Sequence, residues 1–413
     1  MLTVDYEKCT GCGACVQRCP KQCISWAEGE FGFRYPQIDK DACVNCGMCE
    51  KVCPIDKALE VFAEQKAYAA VHKDTEVLAK STSGGAFTAI ADAVFAQGGI
   101  VYGAAMLDDM QVKHIRTSSK DDFEGLRSSK YLQSDTGTTY QMVEQDLKQG
   151  KIVLYSGTPC QIDGLKNFLG KDYENLYTAD IVCHGVGSQA YFDKYMDFAR
   201  DKYGKIKALR FRSKEYAGWS CGGVVVVDTS NCLKKIPYRD FDNYYYSYFL
   251  SGDIYRKSCY TCKYANTKRV GDFSLGDYWG VEKLHLTFNT QDGCSLLLVN
   301  SDKGHRMLEG MQSLLLQETP VDSAVKQNEQ LKAPSKLPAS RQARILEYEE
   351  MTGVQIQKAY LKNYKRRYLK GSLKSMIPYK VKLIIRGGGT EVGKTTFVHF
   401  SDEYGRNVVC AAA

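Results

Sequence analysis

Nine of the 17 cysteines lie within the first 53 residues, and eight of them fall into two copies of one pattern. Cys9, Cys12, Cys15 and Cys19-Pro20 follow Cys-x-x-Cys-x-x-Cys-x-x-x-Cys-Pro, and Cys43, Cys46, Cys49 and Cys53-Pro54 repeat it. Each trio places its thiolates on a tight loop that faces one cube of iron and sulfide, with Gly11, Gly13 and Gly47 relieving crowding of the backbone. In two-cluster modules of this pattern the fourth ligand crosses over. Cys9, Cys12, Cys15 and Cys53 are therefore expected to hold one 4Fe-4S cluster, and Cys43, Cys46, Cys49 and Cys19 the other. A zinc ribbon needs only four thiolates in two pairs, so the doubled run argues against it. Cys23 lies outside the run and reads as a spare buried thiol. The expectation is an oxygen-sensitive one-electron conduit, with the rest of the chain supplying the reaction or the docking surface.

Four more cysteines stand where strand-like runs give way to loops. Cys160 lies in Ser156-Gly-Thr-Pro-Cys-Gln161, Cys183 in Asp180-Ile-Val-Cys-His-Gly-Val-Gly-Ser188, and Cys259-Tyr-Thr-Cys262 adds a pair beside Lys257 and Lys263. Together they offer a third cluster site. The competing account keeps Cys160 and Cys183 as small buried hydrophobes and Cys259 with Cys262 as a redox or zinc pair. Cys221, Cys232, Cys294 and Cys410 have no partner spacing and read as packing residues. His184 is read two ways, as a proton donor or acceptor near a flavin or as a hydrogen-bonded loop histidine. Ser81-Thr-Ser-Gly-Gly-Ala-Phe-Thr88 precedes a helix and presents free amides to a phosphate or flavin, or simply caps that helix.

These loops need a scaffold, and the apolar runs supply one. Strand-like runs at Ala67–Val71, Gly99–Gly103, Ile152–Tyr155, Val224–Val227 and Ser295–Val299 alternate with helical patterns over Ala86–Ala96, Met142–Leu147 and Arg306–Leu316. Such alternation predicts an α/β core with one continuing sheet.

Six motifs, in order, carry a family resemblance. They are Ser83-Gly-Gly85, Ser129-Lys-Tyr-Leu-Gln-Ser134, Gly157-Thr-Pro-Cys-Gln161, Cys183-His-Gly-Val-Gly-Ser188, Cys259-Tyr-Thr-Cys262 and Gly271-Asp-Phe-Ser-Leu-Gly-Asp-Tyr-Trp-Gly280. Over residues about 66 to 320 the chain resembles the beta subunit of coenzyme F-420 hydrogenase and dehydrogenase. The resemblance implies an iron–sulfur flavoprotein oxidoreductase that binds FAD and passes electrons between clusters and a deazaflavin coenzyme or another organic substrate. It also implies that the flavin lies against Ser83, Gly84 and Gly85, with Ser129, Lys130 and Gln133 near it and Thr158 and Gln161 on the neighbouring turn. Lys130 would stabilise a reduced flavin anion and His184 would move protons, the two expected catalytic residues. The fold expected is α+β: a small ferredoxin-like N-terminal domain over 1–62, an α/β flavin-binding domain over 66–330, and a basic C-terminal extension over 331–413.

Composition sets the remaining bounds. At 413 residues, 44% hydrophobic and 25% charged, the chain is globular and several domains long. No basic start with an apolar run and no long apolar stretch is present in the sequence, so a cytoplasmic protein without a transmembrane segment is expected. The net charge of +7 gathers near the end, from Lys358 to Lys382, which argues against a nucleic-acid partner. That segment reads as a solvated basic helix or as a surface for peripheral contact with anionic lipid or an acidic partner. Gly388–Thr395 satisfies the Walker pattern, but only 18 residues follow it, too few for a nucleotide-hydrolysing domain. Expected partners are a ferredoxin or deazaflavin electron carrier and a small organic substrate, acting on a monomer or homo-oligomer. The alternative is a non-catalytic electron-transfer subunit of a larger redox complex.

Overall fold

The computed structural model describes residues 3–59, 62, 65–229, 232–375, 400–401 and 407–410. In the head, the short helices Ala14–Arg18 and Met48–Lys51 each follow a glycine in the left-handed region, Gly13 at φ 84° and Gly47 at φ 71°. A side chain at either position would strain the turn that folds the cysteine loop back on itself. Between the two loops runs an antiparallel hairpin of Ile24–Glu28 and Arg34–Ile38, with Ile24 opposite Ile38.

The body is built on a mixed sheet of eight strands. Four in the middle, Ile100–Met106, Val153–Gly157, Leu176–Ile181 and Phe273–Asp277, are neighbours in that order and pair in parallel. Strands in such a position are covered on both faces, which is why Ile100-Val-Tyr102 and Val153-Leu-Tyr155 are apolar without alternation and buried throughout. Antiparallel strands complete the sheet: Val112–Thr117 at one end, Ser295–Val299, Lys66–His72 and Leu314–Thr319 at the other.

Three expectations change. The run Val224–Val227 belongs to a separate antiparallel sheet of Ile206–Arg210, Gly222–Asp228 and Leu233–Arg239, with Phe400–Ser401 and Asn407–Cys410 at its edge. Its inner face packs into an aromatic core with Tyr191, Tyr195 and Tyr244–Tyr246. The helix predicted over Arg306–Leu316 ends at Glu309, and Leu314–Thr319 forms the edge strand against Lys66–His72. From 331 to 364 the supposed extension is part of the body. Helix Arg341–Glu350 pairs Arg341 with Glu30 of the head at 2.8 Å, and Gln357 accepts from the Tyr244 amide at 3.0 Å. Tyr360, on helix Gly353–Ser375, is buried and donates to the Phe241 carbonyl. The Walker-like segment, Lys380 and Lys382 lie outside the described residues, and side chains after Tyr364 are likewise undescribed. Among the described residues no helix is long and apolar enough to cross a membrane.

One ion pair fixes the carboxyl edge of the parallel strands. Asp180, fully buried, accepts from the Gly271 amide at 2.8 Å and pairs with Arg269, which also donates to Tyr264 and Ile181 carbonyls. Removing one partner of a buried pair leaves an uncompensated charge. Asp180→Ala is expected to cost about 3–5 kcal/mol in urea denaturation, whereas Asp197→Ala, which breaks an exposed pair with Arg200, should change stability by less than about 1 kcal/mol.

Candidate iron–sulfur sites and their surroundings

Three groups of thiols line three cavities. Buried Cys9, Cys12 and Cys15 meet Cys53, from the second repeat, around a cavity of about 270 Å³ that Trp26 and Pro54 help to close. Burial first, then the neighbouring Cys9 and Cys53, push the Cys15 thiol up to about 12. Cys19, Cys43, Cys46 and Cys49 line a smaller hollow of about 20 Å³ at the outer end of the head, where Cys46 is exposed. Cys23 lines it too, its Sγ 3.4 Å from that of Cys19, so a thiol read as a spare stands among the expected ligands. Its position four residues after Cys19 was the available signal.

The third group is assembled by the body. Val153–Gly157 and Leu176–Ile181 are adjacent parallel strands, and Cys160 and Cys183 follow their carboxyl ends. Ligands bind at this edge in open parallel sheets. Cys259 and Cys262 arrive from the turn Lys257–Thr261, and the four thiols line one cavity of about 230 Å³. Lys8, Thr10 and Ile55 of the head form part of the same wall. Burial pushes Cys160 up to about 11 and Cys259 up to about 12, and burial with Cys259, Cys160 and Cys262 raises Cys183 further. Thiols crowded in this way stay protonated on their own, whereas a cationic iron core would let them ionise together. The donor set fits a polynuclear cluster.

The residues expected around a flavin divide into two groups. In one, the Ser83 hydroxyl donates to the Cys294 carbonyl at 2.7 Å and the Gly84 amide donates to the Ser295 hydroxyl at 2.9 Å. A Cβ on Gly84 would stand 2.0 Å from the Ala70 carbonyl, so this turn is packed hard against two strands before Gly85 opens the helix Ala86–Phe95. The Ser129 amide donates to Thr82 at 3.2 Å, and Lys130, next along, donates to the Gly125 and Arg127 carbonyls. Desolvation, then Arg210, push the Lys130 ammonium down to about 7.

The second group serves the thiol sites instead. The Gln133 amide donates to the Thr10 carbonyl at 2.9 Å and accepts from Arg256 at 3.1 Å, which makes it a clamp on the first cysteine loop. Thr158 and Gln161 form a capping box on helix Pro159–Leu169, and Gln161 also donates to Ser134. Their polar atoms are spent on presenting Cys160, whose sulfur lies 3.1 Å from the Thr158 hydroxyl. His184 is on the exposed rim of the third cavity, its carbonyl accepting from Ser335 at 2.6 Å.

Sequence reasoning passed over a group beside Ser83. Lys214 donates to the Ser83 carbonyl at 2.6 Å, buried Arg212 pairs with Asp277 at 2.5 Å, and the Trp219 indole donates to Asp277 at 2.7 Å while stacking on Trp279 at 4.9 Å. Asp277 and Trp279 stood in a quoted motif, but Arg212, Lys214 and Trp219 lie on a different segment and only the fold joins them.

A ferredoxin-type head docked on a mixed α/β body with thiols at its carboxyl edge defines an iron–sulfur electron-transfer protein. Residues 8–57 match the 4Fe-4S dicluster domain, and residues 150–323 match the C terminus of the coenzyme F420 hydrogenase/dehydrogenase beta subunit. Residues 150–323 thus carry the C-terminal region of that oxidoreductase family, with a dicluster domain in front. No curated protein matches it. Among solved structures, a chain of the F420-reducing [NiFe] hydrogenase complex from Methanosarcina barkeri, studied as a xenon derivative, is 15% identical with a TM-score of 0.41. The match covers 75% of this chain and 94% of that one.

Because Cys15, Cys160 and Cys259 carry protons at neutral pH and must lose them to bind iron, iron uptake should release protons and tighten as pH rises toward 11–12. Chelator competition at pH 6.5 and 8.5 (about two units apart, well below those thiol values) measures this. Equal affinity at both would contradict the assignment.

Proposed function

We propose that this protein is an iron–sulfur flavoprotein oxidoreductase in which electrons pass between the two head clusters, a third 4Fe-4S cluster and FAD, and on to a deazaflavin coenzyme or another organic substrate. One observation carries the reading. Cys160, Cys183, Cys259 and Cys262, from three separate segments, line a single cavity whose wall includes the head itself. A redox pair would have no need of Cys160 and Cys183, and two buried hydrophobes would have no need to face Cys259 and Cys262. Their convergence beside the first site makes the body the continuation of the head's electron path.

The flavin reading rests on Ser83, Ser129 and Lys130, on adjoining turns, together with Lys214 and Arg212 beside them. A flavin supplies two-electron exchange with an organic partner and one-electron exchange with clusters. The residues here would hold it and orient it. Lys130, with its proton poorly held, is suited to lend positive charge or a proton at the ring's edge. Ferredoxin or reduced deazaflavin is the proposed electron carrier.

Anaerobically purified protein should contain about twelve irons per chain, as three four-iron clusters require, and one FAD. Cys183→Ser and Cys259→Ser should each lose about four irons while the head clusters survive. Full iron retention in both variants would eliminate the third cluster. Titration of the visible spectrum with reduced deazaflavin and, separately, reduced ferredoxin identifies the carrier by which one bleaches it. Lys130→Ala should slow flavin reduction at least about tenfold, or about 1.4 kcal/mol of barrier; an unchanged rate would remove Lys130 from the mechanism.

A further inference from the structure

We infer that Arg256 is the counter-charge of the first thiol site and sets the reduction potential of the cluster held by Cys9, Cys12, Cys15 and Cys53. Its side chain is 1% exposed and spans the junction of head and body. Nε donates to the Cys9 carbonyl at 2.7 Å, one terminal nitrogen donates to the Arg34 carbonyl at 2.9 Å and the other to Gln133 at 3.1 Å. The nitrogen facing Arg34 also lies 3.8 Å from the Cys9 sulfur. The guanidinium sits over the Tyr35 ring at 4.2 Å and near Phe33 at 5.3 Å.

All of these acceptors are neutral, and that is the anomaly. The other deeply buried arginines each face a carboxylate: Arg212 has Asp277, Arg269 has Asp180, Arg341 has Glu30 and Arg344 has Glu347. Among the described residues no carboxylate pairs with Arg256. A buried charge without a partner is unfavourable unless something else supplies the opposite sign. The nearest source of negative charge is the thiolate set around the first cavity, where Cys9 is both a hydrogen-bond partner and an expected ligand. Gly11 admits this approach, since a Cβ there would stand 2.9 Å from the guanidinium carbon. Arg256 also lines the third cavity, and its charge favours the thiolate forms of Cys160 and Cys259.

Cluster potentials respond to net charge and to hydrogen bonds at the sulfurs. Reduction adds one negative charge to the cluster, and a fixed cation in a water-poor junction favours the reduced state. The effect belongs to the head cluster, so a missing third cluster would sink the functional reading above and leave this one standing.

The test is a redox titration of the full-length, cluster-loaded protein followed by electron paramagnetic resonance, with iron content measured alongside. Arg256→Gln should lower one cluster potential by at least about 59 mV, a tenfold change in a one-electron equilibrium. The outer cluster at Cys19, Cys43, Cys46 and Cys49 serves as an internal reference and should not move. Arg256→Lys, which keeps the charge and loses the planar fork, should stay within that margin of the wild-type value. An unshifted potential in Arg256→Gln overturns the inference. If that variant fails to retain its iron, Arg256→Lys decides: a potential near wild type supports the role, and a fall of the full amount overturns it. Loss of iron in both variants also overturns it, because the residue would then act by holding the fold.

Discussion

The docking of the first cysteine loop onto the body is the contact on which the rest of the molecule depends. Four backbone carbonyls of that loop are taken by side chains from elsewhere: Cys9 by Arg256 and Ser258, Thr10 and Gly11 by Gln133, and Cys12 by Thr136. Gln17, just beyond, accepts from the Tyr140 amide and donates to Thr136. A loop that presents three thiolates inward leaves its carbonyls pointing outward, and burial requires a donor for each. The body meets that need with polar side chains from two widely separated segments, so the head is seated in one orientation. The result places one thiol site at the seam and the other at the periphery.

This arrangement orders the three sites by solvent exposure. The outer site includes exposed Cys46, the four thiols of the third site at the carboxyl edge of the parallel strands are half-buried, and Cys9, Cys12 and Cys15 of the first site, in the seam, are buried. The low dielectric that makes the inner thiols hold their protons also makes fixed charges influential there. Asp180, Asp277 and Arg256 are all within that inner zone, and each is held by several hydrogen bonds.

Much of this was legible from local spacing. The doubled cysteine run needs only neighbours in sequence to form its loops, and the α/β alternation follows from runs of apolar residues. The convergence of Cys160, Cys183, Cys259 and Cys262 was a hypothesis until strand order placed two of them side by side. The partners of Gln133 and Gln161 were not legible, because an amide side chain announces polarity and not its partner, which here is a cysteine loop in one case and a helix cap in the other. The segment around Arg306–Leu316 is an apolar run whose period does not separate strand from helix, and only its pairing with Lys66–His72 decides. The start of the C-terminal region was misplaced for a similar reason. A basic, tyrosine-bearing helix looks the same on paper whether its apolar face meets water or the buried ring of Tyr248, which lies 5.5 Å from Tyr360.

The long reach of the seam bears on how the protein is made. Cys9 and Arg256 are 247 positions apart, and Glu30 and Arg341 are 311 apart. At the usual synthesis rate of about 5–20 residues per second, roughly 12–50 s separate emergence of the first cysteine from emergence of its buried cation. During that interval the thiols of the seam have left the ribosome without the walls that will enclose them. Maturation therefore has a built-in order: the head must wait for the body before its inner iron is shielded, and the newborn chain is most vulnerable to oxidation in its first minute.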